Sequence, residues 1–226
     1  MAGAQGPAGA WLTALSTRFR RRRMARFAAL MGIGTGSRVL DIGGTPDCWR
    51  LLAHPPRVTL LNTPRARADL AGAECWVAGD GRALPFRDAA FDVVFSNSVI
   101  EHVGDAASQQ RFAREVARVG RGYWVQTPNR WFPVEQHLLT PLIHWLPTSW
   151  QRRVVPRVNL WRLLVPVSPD RRQFYIEHYL RDVRLLGHRE MRRLFPEALL
   201  LRERLGGWTK SLIAFRRCPR RPPALQ

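Results

Sequence analysis

Apolar positions set two rhythms along the 226-residue chain. From Trp11 to Met31 they recur at Leu12, Leu15, Phe19, Phe27 and Leu30, a spacing that predicts a helix with one apolar face, interrupted by the basic run at 20–23. Glycines at 32, 34 and 36 stop it. Short apolar runs then alternate with helical stretches. Strands are predicted at 38–42, 57–61, 75–77, 91–95 and 122–126, and a short helix at 47–53. A longer helix at 106–119 sets Phe112, Val116 and Val119 against Arg111, Arg114, Glu115 and Arg118 on its other side. Strands that are apolar throughout, alternating with helices, predict a parallel sheet covered on both faces. The rhythm breaks after Pro128. Residues 129–169 carry five Trp or Phe rings and repeated prolines. The pattern resumes near His188, with a helix at 190–195 stopped by Pro196 and two last strands at 199–205 and 212–215. The expected organisation is a disordered leader at 1–10, one domain over 11–217 with a hydrophobic insertion or lid at about 129–179, and a flexible basic tail at 218–226.

Composition narrows this picture. A hydrophobic share of 46% supports a buried core. The formal net charge of +19 rests almost wholly on arginine, since Lys210 is the only lysine. Arginine is spread along the whole chain, whereas a phosphate-binding face gathers its bases, so a nucleic-acid partner is not indicated. A weak attraction to anionic surfaces, membrane surfaces included, still follows. Cys48, Cys75 and Cys218 are far apart and odd in number, which predicts neither a disulfide framework nor a cysteine metal site; no metal is expected. No apolar run has the length of a membrane span, and the N-terminus lacks the pattern of a signal peptide. A cytoplasmic protein is expected, with peripheral membrane attachment left open.

Four segments carry candidate chemistry. Val39-Leu-Asp-Ile-Gly-Gly-Thr-Pro-Asp47 is a strand that turns on glycines toward a helix, leaving backbone N–H groups for a carboxylate or phosphate; the plain alternative is a turn that binds nothing. Asn62 ends the second strand, where nucleotide-binding sheets place a carboxylate on the ribose. An amide can hold a diol less strongly, and Asn62 can equally be a turn residue. Asp80 follows the third strand, where a carboxylate can accept from an exocyclic amine, with Leu84, Pro85 and Phe86 as an apolar wall. An Asx-turn with a core aromatic is the alternative reading. Ser96-Asn-Ser-Val-Ile-Glu-His102 lies at the carboxyl edge of the fourth strand, where open α/β sheets bind ligands. His102 is the first candidate for a general base, with a lining or structural role as the alternative; His137 and His178 rank behind it.

In order and spacing these segments resemble the class I S-adenosylmethionine-dependent methyltransferases, especially the small bacterial type 11 group. The resemblance is strongest over 38–133. Its most specific part is the run GDGRALPFRDAAFDVVFSNSVIEH, ending at His102. The segment YWVQTPNRWFP, ending at Pro133, and RERLGGWTKSLIA, ending at Ala214, resemble that group's fifth strand and last hairpin. The resemblance implies a Rossmann-like, doubly wound seven-stranded sheet, mostly parallel with an antiparallel last strand, and S-adenosylmethionine as methyl donor. It places Asp41, Gly43, Gly44 and Thr45 around the methionine part, Asn62 at the ribose, Asp80 and Gly81 at the adenine, and Asn97 and Ser98 at the methionine end. The sequence departs from the group where the usual Gly-x-Gly-x-Gly loop is Gly43-Gly44-Thr45-Pro46-Asp47, and where the ribose carboxylate is Asn62.

Such an enzyme supplies binding and orientation, because the methyl donor is already activated. The aromatic insertion, with Trp131, Phe132, Trp145, Trp150, Trp161, Phe174 and Tyr175, points to a small, partly hydrophobic acceptor or a glycan- or lipid-linked one, methylated on oxygen or nitrogen. The same rings could instead form an ordinary subdomain core, or meet a membrane surface. An RNA methyltransferase and a non-catalytic, membrane-peripheral protein of the same fold remain the alternatives. A nicotinamide dehydrogenase is disfavoured by the missing Gly-x-Gly-x-x-Gly fingerprint.

Overall fold

A computed structural model describes residues 7–70, 73, 75–138, 140–155 and 169–218. Its centre is a seven-stranded sheet of β1 (Arg38–Ile42), β2 (Arg57–Asn62), β3 (Trp76–Ala78), β4 (Phe91–Asn97), β5 (Gly120–Pro128), β8 (Leu199–Leu205) and β9 (Trp208–Arg216). The strand order is β3-β2-β1-β4-β5-β9-β8. Strands β1 to β5 run parallel, β9 is antiparallel to β5, and β8 pairs antiparallel with β9. The order in which strands are added therefore reverses between β1 and β4, and that crevice is where such sheets bind ligands.

The strands read as continuous apolar runs because both faces are covered. Val39, Val93, Phe95, Trp124, Ile213 and Phe215 pack on one side with Met24, Phe27 and Met31 of α1 (Pro7–Met31). Leu40, Ile42, Val94, Tyr123 and Val125 pack on the other with Phe112 and Val116 of α2 (Ala106–Val119) and Met191 of the short helix over His188–Leu194. Consecutive residues such as Tyr123 and Trp124 thus enter different cores, the two-residue period of a strand. Asp105 caps α2 by accepting from the Ser108 N–H at 2.8 Å.

Three elements differ from the sequence reading. Helix α1 begins at Pro7, inside the stretch read as a leader; residues 1–6 and the tail from 219 lie outside the described residues. The segment after β1 is a 3-10 turn, Pro46–Leu51, in place of a helix at 47–53. Pro46 opens it without an N–H to donate, and Trp49 is turned inward onto Phe27 and Phe95, at ring-centroid distances of 5.9 and 5.3 Å. Strand β5 starts at Gly120, ahead of its apolar run, where it pairs with Phe91 of β4, and the position is glycine because a Cβ there would meet the Gly122 carbonyl and Val94.

The insertion holds β6 (Val134–Glu135) paired with β7 (Thr140–Pro141), then α3 (Thr148–Val154) and α4 (Pro169–Asp182). Leu138, Ile143, Val155, Ile176 and Tyr179 form a third small core of its own. Trp131, Trp145 and Trp150 stay exposed. Trp161 and the side chains of Phe174, Tyr175 and His178 lie outside the described residues. Among the described residues no helix is long and apolar enough to cross a membrane.

Candidate cofactor pocket and the histidine pair beside it

Parallel register brings three strand tips level. Ile42 lies beside Leu61 and Asn62 beside Ala78, so the residues that follow β1, β2 and β3 emerge together at the carboxyl edge. A hollow of about 430 Å³ opens there, lined by Gly43 from the first tip, Asn62 from the second, and Asp80 with Gly81 from the third. Its apolar walls are Ile42, Leu61, Val99 and Val103, and His102 also borders it.

Glycine is required at the first tip. Gly43 has φ +74°, and its N–H is held by the Leu61 carbonyl at 2.7 Å. Any Cβ on it would strike Val99. At the second tip the Asn62 amide donates to the Gly44 carbonyl at 3.2 Å and accepts from the Thr63 N–H at 2.9 Å. One N–H and one lone pair remain for a ligand. At the third tip Asp80 is clamped by Arg82, whose guanidinium donates to both carboxylate oxygens, the shortest at 2.6 Å. That bond, with the nearby positive charge, holds the Asp80 carboxyl below the ordinary range.

Several residues expected around the cofactor lie elsewhere. Gly44, Thr45 and the fully buried Asp41 do not line the hollow. One Asp41 oxygen accepts from the Trp49 indole at 2.8 Å, and the other has no partner among the described residues. Burial pushes its carboxyl up to about 7, with the bonds from Trp49 and Cys48 pulling back part of the way. Gly44 is a glycine because a side chain there would overlap that carboxylate. Asn97 and Ser98 are also outside the lining, in a network that the sequence does not advertise. The buried Arg23 of α1 donates to Asn97 at 2.5 Å, to Gln126 at 3.2 Å and to Glu203 of β8 at 2.6 Å, and the Ser98 hydroxyl donates to Gln126 at 3.0 Å. Leu84 and Phe86 turn into the α2-side core instead of walling the hollow. Glu115 and Arg118 pull their loop onto α2 by bonding the Leu84 N–H and the Leu84 and Phe86 carbonyls.

His102 is not alone. Its Nε2 lies 3.1 Å from Nε2 of His137, and His137 Nδ1 lies 2.6 Å from a carboxylate oxygen of the buried Glu135. The second Glu135 oxygen accepts from the Leu138 N–H at 2.7 Å. Burial lowers the His137 basicity, yet the bond to Glu135 and the charges of Glu135 and Glu101 outweigh it, and the net shift is upward. Glu101 is fully buried beside this pair. It accepts from the Thr127 hydroxyl at 2.9 Å, and burial raises its carboxyl to about 7. Glu101 and Glu135 escape sequence reasoning, since nothing local marks either as buried.

Part of the chain is similar to a known family. Residues 31–122, less than half of the chain, match the family model of a methyltransferase domain, type 11. A candidate methyltransferase of Encephalitozoon cuniculi is 42% identical over 60 residues, which cover 26% of this chain and 27% of that protein. The match therefore spans about a quarter of that relative. Among solved structures, the candidate methyltransferase of Haloferax volcanii in complex with the Trm112 methyltransferase activator superposes with a TM-score of 0.50 at 17% identity, over 96% of this chain and 99% of that one. A Rhodobacter sphaeroides protein described as a candidate zinc-dependent alcohol dehydrogenase superposes with a TM-score of 0.56 at 17% identity, over 83% and 86%. Likenesses at that identity speak for the fold alone.

Proposed function

We propose that the protein transfers the methyl group of S-adenosylmethionine to an oxygen or nitrogen atom of a small, partly apolar acceptor, free or carried on a glycan or lipid. The observation that carries this reading is the meeting of Gly43, Asn62 and Asp80 around one hollow. Its volume falls in the range of small-molecule sites, roughly 300–1,000 Å³. The residues suit a nucleoside. Asn62 offers its free N–H and lone pair to the ribose, Asp80 and the Gly81 backbone border the adenine, and Ile42, Leu61, Val99 and Val103 enclose the ring. Gly43 lets the remainder of the cofactor pass close to the main chain.

When bound, S-adenosylmethionine supplies a methyl group already activated on a sulfonium. The chain's task is placement, which alone contributes roughly 7–11 kcal/mol toward such a barrier. An oxygen or nitrogen acceptor must also lose a proton, and the group at the hollow able to manage it is the His102–His137 pair backed by Glu135. The exposed rings of Trp131, Trp145 and Trp150 favour an added contact with an anionic membrane surface, which would bring a lipid-linked acceptor to the site.

Isothermal calorimetry tests the reading. S-adenosylmethionine and S-adenosylhomocysteine should bind the folded protein in the micromolar range, and Asp80→Ala should weaken both on the order of tenfold or more through loss of a charged acceptor. A folded sample that gives no heat with either ligand ends the proposal.

A further inference from the structure

We propose that Glu101, His102 and His137 form a binding site for a divalent transition-metal ion of the zinc kind, beside the cofactor hollow. The ligand atoms of the three residues lie within 4.8 Å of one another. The two imidazoles face each other through Nε2 at 3.1 Å. Nitrogens bound to a tetrahedral zinc at about 2.0–2.1 Å stand roughly 3.3–3.4 Å apart, so the pair is already near the required spacing and the carboxylate closes last.

Three further features fit a metal better than a bare hydrogen-bond chain. His137 gives its Nδ1–H to Glu135 at 2.6 Å, which leaves Nε2 with its lone pair toward His102 and raises its donor strength. An outer carboxylate on the far nitrogen is the usual support of a metal-ligating histidine. Glu101 is fully buried, and its Oε1 has no hydrogen-bond partner among the described residues although Oε2 accepts from Thr127. A buried carboxylate so placed needs a proton or a cation. Lastly, a doubly positive ion balances ionised Glu101 and Glu135 with both histidines neutral.

Two histidines and one carboxylate leave a coordination position open, as in catalytic sites. His102 also borders the hollow, so that position is within reach of a substrate there. This deepens the methyl-transfer reading and, for the acceptor, rests on it. The acceptor is then a hydroxyl or phenol. The ion then takes over the part that the unmetallated histidine pair would play as base: an O–H held on it would be acidified and would give its proton to water at neutral pH. The oxygen bonds to the methyl carbon as the carbon–sulfur bond breaks, its electron pair going to sulfur.

The test uses the full chain, stripped with a chelator and dialysed against Zn²⁺, with metal measured by emission spectrometry and Co²⁺ as a spectroscopic probe. About one tightly held equivalent per chain is expected, bound with release of protons. Glu101→Gln and His137→Ala should lose it, and Glu135→Gln should weaken it about 10–100-fold. Glu101→Gln keeps the shape and the Thr127 bond, so it decides the matter if His137→Ala fails to fold. No retained metal overturns the inference, and so does equal retention by wild type and Glu101→Gln. Calorimetry with S-adenosylhomocysteine on the same samples separates the two proposals. Heat without metal removes the ion site and leaves methyl transfer; metal without heat removes methyl transfer and leaves the ion site.

Discussion

Gly43 does two things that no other residue can do at the tip of β1. It adopts φ +74°, and it leaves open the space that a Cβ would contest with Val99. Replacing it with alanine combines left-handed strain, of order 1–3 kcal/mol, with displacement of a wall of the hollow. Gly43→Ala should therefore lower stability in chemical denaturation by about that amount and also weaken S-adenosylhomocysteine in calorimetry. Gly36 has ordinary φ and open space around it, so Gly36→Ala is the control and should stay within about 0.5 kcal/mol of wild type. The glycine at 43 and the acid at 80 are legible in the sequence because short turns fix their positions relative to the strands. The Arg82 clamp on Asp80 is equally local, two residues away, and shows only when the loop geometry is known.

At the scale of elements, the strands and α2 were legible because each is buried on faces that its own periodicity records. What the chain hides is contact across sequence. The arginine run at 20–23 reads as a break in an apolar face, but Arg23 is buried there against Glu203, 180 residues away. That ion pair and the bonds to Asn97 and Gln126 fasten α1 across the carboxyl edge of β4 and β5. Removing one partner of a buried pair leaves the other uncompensated, at a cost of about 3–5 kcal/mol. Arg23→Met should accordingly lower stability by that order, and hydrogen exchange should show α1 opening before the sheet. Equal protection of α1 in the variant and the wild type would contradict the fastening role. His102 and His137, 35 residues apart, are a second case, since the insertion had to fold back before they could meet.

Across the whole molecule, burial sets an acid–base signature. In the ion-free protein Asp41 and Glu101 both have carboxyls raised to about 7, against values near 4 in an unfolded chain. Between about pH 4 and pH 7 the native protein therefore holds protons that the unfolded chain has released. The contribution of these groups to stability is full below that window, falls as pH rises through it, and is flat above pH 7. Asp41→Asn keeps the acceptor for Trp49 and removes the titration. Its melting temperature should exceed that of wild type at pH 8, with the difference shrinking toward pH 5. A difference that does not change with pH would place the cost elsewhere. Net charge works at the same scale but says less, since +19 spread over the chain favours anionic surfaces without marking a face.

A crystal structure with S-adenosylhomocysteine is the decisive test of the nucleoside hollow. Ligand density is expected with the ribose at Asn62, the adenine beside Asp80 and Gly81, and the amino-acid part of the ligand passing Gly43 toward His102. Density at another edge of the sheet, or a hollow filled by side chains in crystals soaked to saturation, would contradict it.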